Sequence, residues 1–206
     1  MKRKGALEGL RVLDLTRVLA GPFCTMMFAD MGAEIIKIEQ AGTGDDTRQM
    51  GPFKNGESAY FMNLNRNKKG VTLNLKNPKG KAIFIDLVKK ADVVIENFRP
   101  GTMEKLGLGY EELKKVNPAI VYAAISGFGH TGRYSQRPGY DIISQAMSGL
   151  MSTTGWPGGE PTRTGTAMGD VLGGLSCAIG ILAAVFNKIQ TGEGQKVDVA
   201  LVDSAV

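Results

Sequence analysis

Residues 10–39 read LRVLDLTRVLAGPFCTMMFADMGAEIIKIE, and this stretch decides the fold class. Leu10–Leu15 is a short apolar run typical of a buried strand. Gly21-Pro22 opens a helix, where proline is favoured because its missing N–H is not needed in the first turn. Glu34–Glu39 is a second strand with Ile-Ile-Lys-Ile at its centre. A strand, a helix and a strand over this length form a βαβ unit, so we expect the two strands to be parallel.

The same alternation continues through the rest of the chain. Further strands are predicted at Val71–Leu75, Asp92–Phe98, Ala119–Ser126 and Gln195–Leu201. Helices are predicted at 77–91 (with Ile83, Leu87 and Val88 on one apolar face), near Met103 and Glu111, at Tyr140–Met151 and at Met168–Gln190, and a long polar loop at Gln40–Glu57. This order predicts an α/β fold: a Rossmann-like, open, mostly parallel sheet with flanking helices.

Charge and hydropathy exclude several classes of protein. The chain has 206 residues and a formal net charge of +5, but its basic residues are scattered, and the densest run is Arg66-Asn67-Lys68-Lys69. This favours a small phosphate-bearing ligand over nucleic acid, because nucleic-acid-binding proteins usually carry a basic patch with interleaved aromatic residues. The longest uncharged run, Val171–Phe186, is short and rich in Gly and Ala, so we expect a buried core helix and no membrane span.

Few residues in the chain suit metal or redox chemistry. Cys24 and Cys177 have no neighbouring ligands at metal spacing, which predicts buried, reduced thiols in a cytoplasmic protein and no metal site. The single histidine, His130, excludes sites built on two histidines, and we interpret it as an exposed loop residue. The dinucleotide fingerprint G-x-G-x-x-G is absent after the first strand, as is a Walker A sequence, so a nicotinamide cofactor is disfavoured.

Asp170 has two interpretations. It lies among small residues, Gly-Thr-Ala-Met-Gly-Asp-Val-Leu-Gly-Gly, at the start of a long apolar helix. A carboxylate there is stabilised by the helix dipole and commonly serves as a cap. The same position also suits a nucleophilic carboxylate with room around it for a bulky thioester. Position alone leaves both interpretations open.

Several ordered motifs resemble the class III CoA-transferase family, which includes formyl-CoA transferase, carnitine CoA-transferase and α-methylacyl-CoA racemase. The resemblance runs from Leu7 to Val206. It rests on LEGLRVLDLTRVLAGP, GAEIIKIE, NRNKK, VIENFRPG, the Gly-Tyr-Asp at 139–141 and the Gly-Asp at 169–170.

The resemblance implies a mechanism and a set of site residues. Asp170 is implied as the nucleophile that carries CoA as an aspartyl thioester. Coenzyme A or acyl-CoA is implied as a substrate, and no permanently bound cofactor is expected. The implied CoA-binding positions are Leu19, Ala20, Leu73, Asn74, Leu75, Lys76, Asn97, Phe98, Arg99, Lys105, Arg137 and Tyr140.

Three departures from the family pattern bear on the substrate. Formyl-CoA transferase has a glutamine at the position of Leu19, whose side chain cannot hydrogen-bond, and this disfavours a formyl-CoA and oxalate pair. It also has an arginine at the position of Gln40, so one phosphate contact of that enzyme is not expected here. The racemase has a histidine at the position of Tyr140. Because α-proton exchange needs two bases near the α-carbon, a tyrosine at this position argues against racemase activity. The motif combination is most similar to the branch that uses succinyl-CoA and dicarboxylic acids. An acyl-CoA racemase or isomerase and a non-catalytic CoA-binding fragment remain as alternatives.

The resemblance also implies how the chain is organised. Family members are roughly twice as long, so we expect residues 1–206 to be the N-terminal part of the large CoA-binding domain, without the small domain and the C-terminal return of the chain. We expect the full-length protein to be an interlocked homodimer that binds acyl-CoA and carboxylic acids. The 206-residue chain alone is expected to be inactive.

Overall fold

The computed structural model describes residues 5–206. Its strands are, in chain order, β1 Arg11–Asp14, β2 Glu34–Glu39, β3 Phe53–Lys54, β4 Glu57–Ser58, β5 Lys69–Thr72, β6 Val93–Glu96, β7 Val121–Ser126 and β8 Lys196–Ala200. Six of them form one sheet in the order β5-β2-β1-β6-β7-β8, and every neighbouring pair is parallel. β3 and β4 form a separate antiparallel hairpin. The predicted parallel α/β sheet is confirmed.

Helices cover both faces of the sheet. They are α1 Ala20–Asp30, α2 Ala59–Asn65, α3 Pro78–Val88, α4 Thr102–Lys105, α5 Tyr110–Val116, α6 Asp141–Met147, α7 Met168–Thr191 and α8 Leu201–Ser204. Successive residues of a strand point to opposite faces, so Val12 packs with α1 and α7 while Leu13 packs with α3 and α5. The resulting two cores explain why the central strands are apolar on both sides.

Cys24 and Cys177 lie in the core between α1 and α7, and both are free and fully buried. Burial raises the pKa of the Cys24 thiol well above its ordinary value, which keeps it protonated and unreactive. The prediction of buried thiols is confirmed. The two helices approach closely here, because a Cβ on Gly174 would lie 2.6 Å from the carbonyl oxygen of Ala20.

Several predicted elements differ from the structure at their ends, and in two of them the cause is visible. β5 spans Lys69–Thr72, earlier than the predicted Val71–Leu75, because its register is set by pairing of residues 69–72 with Ile36–Glu39 of β2. The helix predicted at Tyr140–Met151 stops at Met147, and a 3-10 turn, Leu150–Thr153, follows. Gly149 adopts φ 87° between them, a backbone conformation that glycine tolerates and that a continuing helix does not contain.

Two buried faces were predicted incorrectly. On α3 only Ile83 is misplaced: it is 50% exposed, while Phe84 and the predicted Val88 are buried and Leu87 packs against the core. α7 is buried on one face only, through residues such as Cys177 and Ile181, while Ile179 and Ile189 are exposed. By length and composition α7 is long and apolar enough to cross a membrane, and no other helix among residues 5–206 is.

Candidate active site

The site follows from the order of the strands. From β1 the chain proceeds through β2 to β5 in one direction, and β6, β7 and β8 then extend the sheet in the other. The loops that leave β1 and β6 therefore diverge at the carboxyl edge. In open α/β sheets this switch point is where ligands bind. Two adjoining cavities open there, and we call them the first and the second cavity.

The first cavity has a volume of about 350 Å³ and lies between the loop after β2 and the segment Leu73–Lys76. That segment is shaped by Asn74, whose Oδ1 accepts a hydrogen bond from the Lys76 N–H at 3.0 Å. Phe98 closes the far side. The cavity thus combines an aromatic ring, apolar side chains and Lys76 with three carboxylates, each paired with a cation: Glu39 with Arg48, Asp45 with Lys37 and Asp46 with Arg17. The ring and Lys76 suit a flat heterocycle with attached phosphates.

The second cavity holds Asp170 and has a volume of about 190 Å³. Seven other predicted residues also line it: Leu19, Ala20, Asn97, Phe98, Arg99, Arg137 and Tyr140. Phe98 and Arg17 line both cavities, so the two adjoin through these side chains. One elongated ligand with an anionic end and a reactive end fits this arrangement.

The structure brings all but one of the predicted residues to these cavities. The exception is Lys105, which is exposed on α4 and lines neither cavity, although Thr102 and Leu106 of the same turn line the first. The side-chain amide of Asn97 is engaged within the protein, since it accepts from the Arg17 N–H at 2.9 Å and donates to the Arg17 carbonyl at 2.8 Å. The CoA-binding roles stay predictions.

Asp170 is half-buried in the first turn of α7, and it does not cap that helix. The cap comes from Asp141, whose Oδ1 accepts from the Gly169 N–H at 2.8 Å and from the Asp170 N–H at 3.4 Å. Gly169 permits this contact, because a Cβ there would lie 1.9 Å from Ser144 Oγ. Within residues 5–206 the Asp170 carboxylate makes no hydrogen bond, so its oxygens are left for a ligand.

The surroundings of Asp170 make its carboxylate more basic than usual. Burial, followed by repulsion from the Asp141 carboxylate, raises the pKa of Asp170 to about 6. The carboxylate is therefore ionised near neutral pH but poorly solvated, a combination that favours nucleophilic attack. The Asp170 charge also adds to burial in raising the pKa of the Tyr60 phenol, although Tyr60 lines neither cavity.

Sequence reasoning missed Tyr60. It lies in the first turn of α2, whose start is marked by Ser58: the Ser58 hydroxyl oxygen accepts from the Phe61 N–H at 3.1 Å. This cap is a local signal for a helix in the stretch between the predicted loop, Gln40–Glu57, and the predicted strand, Val71–Leu75, where no element was predicted. Nothing local places Tyr60 beside residue 170, which is 110 positions away in the chain.

The His130 side chain is buried against Glu96 and Lys196, so its interpretation as an exposed residue is wrong. Its side chain is 6% exposed, with Nδ1 3.2 Å from Lys196 Nζ and Nε2 3.7 Å from Glu96 Oε1. Burial raises the pKa of Glu96 to about 7. Glu96 also accepts from the Phe98 N–H at 2.7 Å, which fixes the loop that carries Phe98 between the cavities.

The basic run Arg66–Lys69 does not line the cavities. Lys68 is buried and paired with Asp14 at 3.0 Å, Lys69 pairs with Glu34 at 2.8 Å, and Arg66 pairs with Asp30. All three cations are therefore paired within the protein, Lys68 in its interior and Arg66 and Lys69 at its surface. Within residues 5–206 no cluster of His, Cys, Asp or Glu is arranged to hold a metal ion.

Comparison with known proteins identifies the family. The family model described as CoA-transferase family III matches residues 7–206. The chain belongs to this family. An acetyl-CoA:oxalate CoA-transferase of Acetobacter aceti is 50% identical over 206 residues, which cover all of this chain and 53% of that protein. A succinyl-CoA:glutarate CoA-transferase of Mus musculus is 50% identical, over 97% of this chain and 46% of its own length.

Solved structures agree. A CAIB/BAIF family protein from Brucella suis superposes with a TM-score of 0.94 at 43% identity, over 98% of this chain and 55% of that one. Rv3272 from M. tuberculosis gives a TM-score of 0.91 at 38% identity, over 98% and 57%. The chain therefore spans about half the length of the family III relatives it matches.

Proposed function

We propose that this family III chain supplies the nucleophile and the CoA cavity of a CoA-transferase. The observation that carries the proposal is the half-buried Asp170 carboxylate, which has no hydrogen bond among residues 5–206. It lines the second cavity, and this adjoins the first cavity, which suits a nucleotide. The elongated ligand that fits both cavities is an acyl-CoA, with its phosphates towards Lys76 and its thioester towards Asp170.

The proposed reaction begins at the Asp170 carboxylate. One carboxylate oxygen attacks the thioester carbonyl carbon of the donor, the C–S bond breaks, and CoA leaves as a thiolate. The thiolate then attacks the aspartyl carbonyl of the mixed anhydride, releasing the donor acid as a carboxylate and forming an aspartyl-CoA thioester. The acceptor carboxylate reverses these steps, so charge and atoms balance without a cofactor.

Dicarboxylic acids are the proposed acceptors, with succinyl-CoA as donor. The support is twofold: the motif combination resembles that branch, and a 50% identical relative is named for succinyl-CoA with glutarate. A second relative, named for acetyl-CoA with oxalate, supports the dicarboxylic acceptor but not the donor. A panel of donors and acceptors, assayed with the full-length protein, tests this. Transfer only to monocarboxylic acids would contradict it.

Racemisation is the second candidate, and Tyr140 counts against it, since a phenol replaces the histidine base of the racemase. Incorporation of deuterium at the α-carbon of an acyl-CoA in D₂O would favour the racemase. Its absence, with CoA exchange present, favours the transferase.

Hydroxylamine trapping tests the nucleophile directly. During turnover, full-length protein should yield a hydroxamate on the peptide that contains Asp170, detected by mass spectrometry. Asp170→Asn is the matched control and should give no adduct. Full activity in Asp170→Ala, or turnover with an unmodified Asp170 peptide, would overturn the proposal.

An intertwined homodimer in the cytoplasm is proposed for the full-length protein. The support is the family resemblance and the exposed apolar face of α7, where Ile179 is 69% and Ile189 is 76% exposed. Large exposed apolar patches commonly mark contacts with further protein. Sedimentation of the full-length protein as a monomer at micromolar concentration would contradict the dimer.

A further inference from the structure

The loop between β1 and α1, residues 16–19, is held by side chains from four other positions. At Thr16, Asp14 Oδ1 accepts from the backbone N–H at 2.9 Å, and Lys37 Nζ donates to the carbonyl oxygen at 2.8 Å. At Arg17, the Asn97 amide binds both backbone groups. Two consecutive residues therefore have their N–H and C=O satisfied by side chains, which is unusual for a short loop outside regular structure.

Val18 is the strained residue of this loop. Its φ is 67°, a left-handed conformation that is rare for a β-branched side chain. Such strain persists only where the surroundings determine the backbone firmly, and it concentrates at functional sites. The contact that acts on Val18 directly is from Asp45, whose Oδ1 accepts from the Val18 N–H at 3.3 Å.

Asp45 is fixed by partners of its own. Its Oδ2 is 2.9 Å from Lys37 Nζ, and the two side chains are 1% and 2% exposed. Its Oδ1 also accepts from the Thr47 N–H at 3.0 Å and from the Thr47 hydroxyl at 2.8 Å. Burial alone would raise the pKa of Asp45, but the Lys37 charge and the Thr47 hydrogen bonds lower it overall, so the pair is ionic. Asp45 thus ties the loop after β2 to the loop after β1.

The conformation of Val18 bears on the site through the two residues after it. Leu19 and Ala20 come next in the chain, and both line the second cavity beside Asp170. Relaxing Val18 to an ordinary backbone conformation would redirect the chain at Leu19. In catalysis by positioning, a displacement of about 1 Å costs on the order of a hundredfold in rate.

We propose that Asp45, supported by Lys37, is a positioning residue for acyl transfer: it holds Val18 in the left-handed conformation and so sets the part of the second cavity that Leu19 and Ala20 line. This inference rests on the proposed function. Asp45 acts through the loop and does not touch the reacting atoms.

The test is a pair replacement in the full-length protein. The double variant Lys37→Met with Asp45→Leu removes both buried charges and leaves side chains of similar volume. We expect it to fold, whereas removal of only one charge would leave the other buried without a partner. We expect kcat to fall about 10- to 100-fold and the KM for acyl-CoA to rise by a smaller factor, since Asp45 also lines the first cavity and Leu19 and Ala20 line the second. Lys69→Met, which removes an exposed lysine of the neighbouring strand β5, is the matched control and should leave kcat unchanged.

Two further readouts separate positioning from general structure. Hydrogen–deuterium exchange of the peptide containing residues 16–19 should accelerate in the pair variant but not in Lys69→Met. Glycine adopts the left-handed conformation freely, so Val18→Gly removes the strain. Added to the pair variant, it should raise kcat by about threefold or more, and in the unaltered protein it should not raise kcat.

The inference would be overturned if the pair variant had the hydrogen exchange or the kcat of the unaltered protein. It would also be overturned if the pair variant lost as much kcat with Val18→Gly as without it. If the unaltered full-length protein transfers no CoA, the proposed function has failed. The exchange comparison then still decides whether Asp45 holds the loop.

Discussion

Asp14 and Asp170 both lie near the carboxyl edge of the same sheet, yet their surroundings are opposite. Asp14 is fully buried, accepts hydrogen bonds from Thr16 and Thr25, and pairs with Lys68. Burial alone would raise its pKa, but these partners lower it to about 2. Asp170 is half-buried with no such partner among residues 5–206, and its pKa is raised to about 6 by burial and by Asp141.

The difference shows how one residue type serves two purposes. Burial disfavours the carboxylate at both positions. At Asp14 the protein compensates with two hydroxyls and a cation, and the result is a rigid internal link between β1, α1 and the segment after α2. At Asp170 it supplies no compensation, and the result is a reactive group whose ionisation lowers stability. Such trade-offs between stability and activity are typical of active sites.

Lys68→Met should produce the largest change, because it makes Asp14 resemble Asp170. The substitution leaves a buried carboxylate without its nearest cation, and removing one partner of a buried ion pair costs about 3–5 kcal/mol of unfolding free energy. Urea denaturation at pH 7 measures the loss. In the unaltered protein Asp14 contributes stability above about pH 4, which is lost as the pH falls towards 2, because its folded pKa is the lower one. A loss below about 1 kcal/mol would contradict the role given to Lys68.

Asp170→Asn should change the free energy of unfolding in the opposite direction, towards greater stability. The folded pKa of about 6 exceeds the ordinary value of 3.8, so the folded protein binds the proton more tightly, and stability falls as the pH rises from about 4 to 6. The variant lacks this decline. We expect it to be more stable at pH 8 by up to about 3 kcal/mol, from about 1.4 kcal/mol per unit of pKa shift, and equally stable near pH 4.

Transferase activity of the Asp170→Asn protein should meanwhile fall at least about a thousandfold, because the amide is not a nucleophile. Thermal unfolding across pH together with the transfer assay measures both effects. A variant that is both less stable and fully active would reverse the assignment of Asp170.

Asp141→Asn tests how much the repulsion from Asp141, the smaller of the two causes, raises the pKa of Asp170. It removes a like charge near Asp170 while Oδ1 can still accept from the Gly169 N–H. The pKa of Asp170 should fall, and the acid limb of kcat/KM, which reports ionisation in the free enzyme, should move to lower pH by about 0.5–1 unit. A full pH profile, with the exposed Glu112→Gln as control, measures the shift. An unmoved limb would show that burial alone sets this pKa.

Lys69→Ala should have the smallest effect. Its pair with Glu34 is largely exposed, and such pairs contribute about 0–1 kcal/mol. Because Lys69 lines neither cavity, the KM for acyl-CoA should also stay within about twofold, whereas Lys76→Ala should raise it several-fold. Comparison of the two KM values measures the difference. Equal effects would mean that the basic run contributes to CoA binding after all.

Local patterns predicted the elements of this fold well because the signals are local. The alternation around Val12 and Leu13 and the apolar strand centred on Ile36 are set by a few neighbouring residues. The ends of β5 were not predictable in this way. Leu73 alternates with Val71 as strand residues do, but pairing with β2 stops at Thr72, so Leu73 lies at the cavity instead.

The site was predicted only where family motifs supplied long-range information. Position alone left Asp170 between a cap and a nucleophile, and the structure decides against the cap because Asp141, which lies 29 residues earlier, takes that role. The burial of Lys68 and His130 depends on partners 54 and 34 positions away, Asp14 and Glu96. No local pattern in the sequence encodes such partners.

The sheet order also governs when the site can assemble during synthesis. The central neighbours β1 and β6 lie about 80 residues apart in the chain, with Val12 paired to Val93. A growing chain can therefore form the βαβ unit early, but it must wait for β6 before either cavity acquires its second wall. Pairings across such long separations form slowly. We expect the early half, with an unpaired edge on β1, to be the stage at which this protein depends most on protection from aggregation.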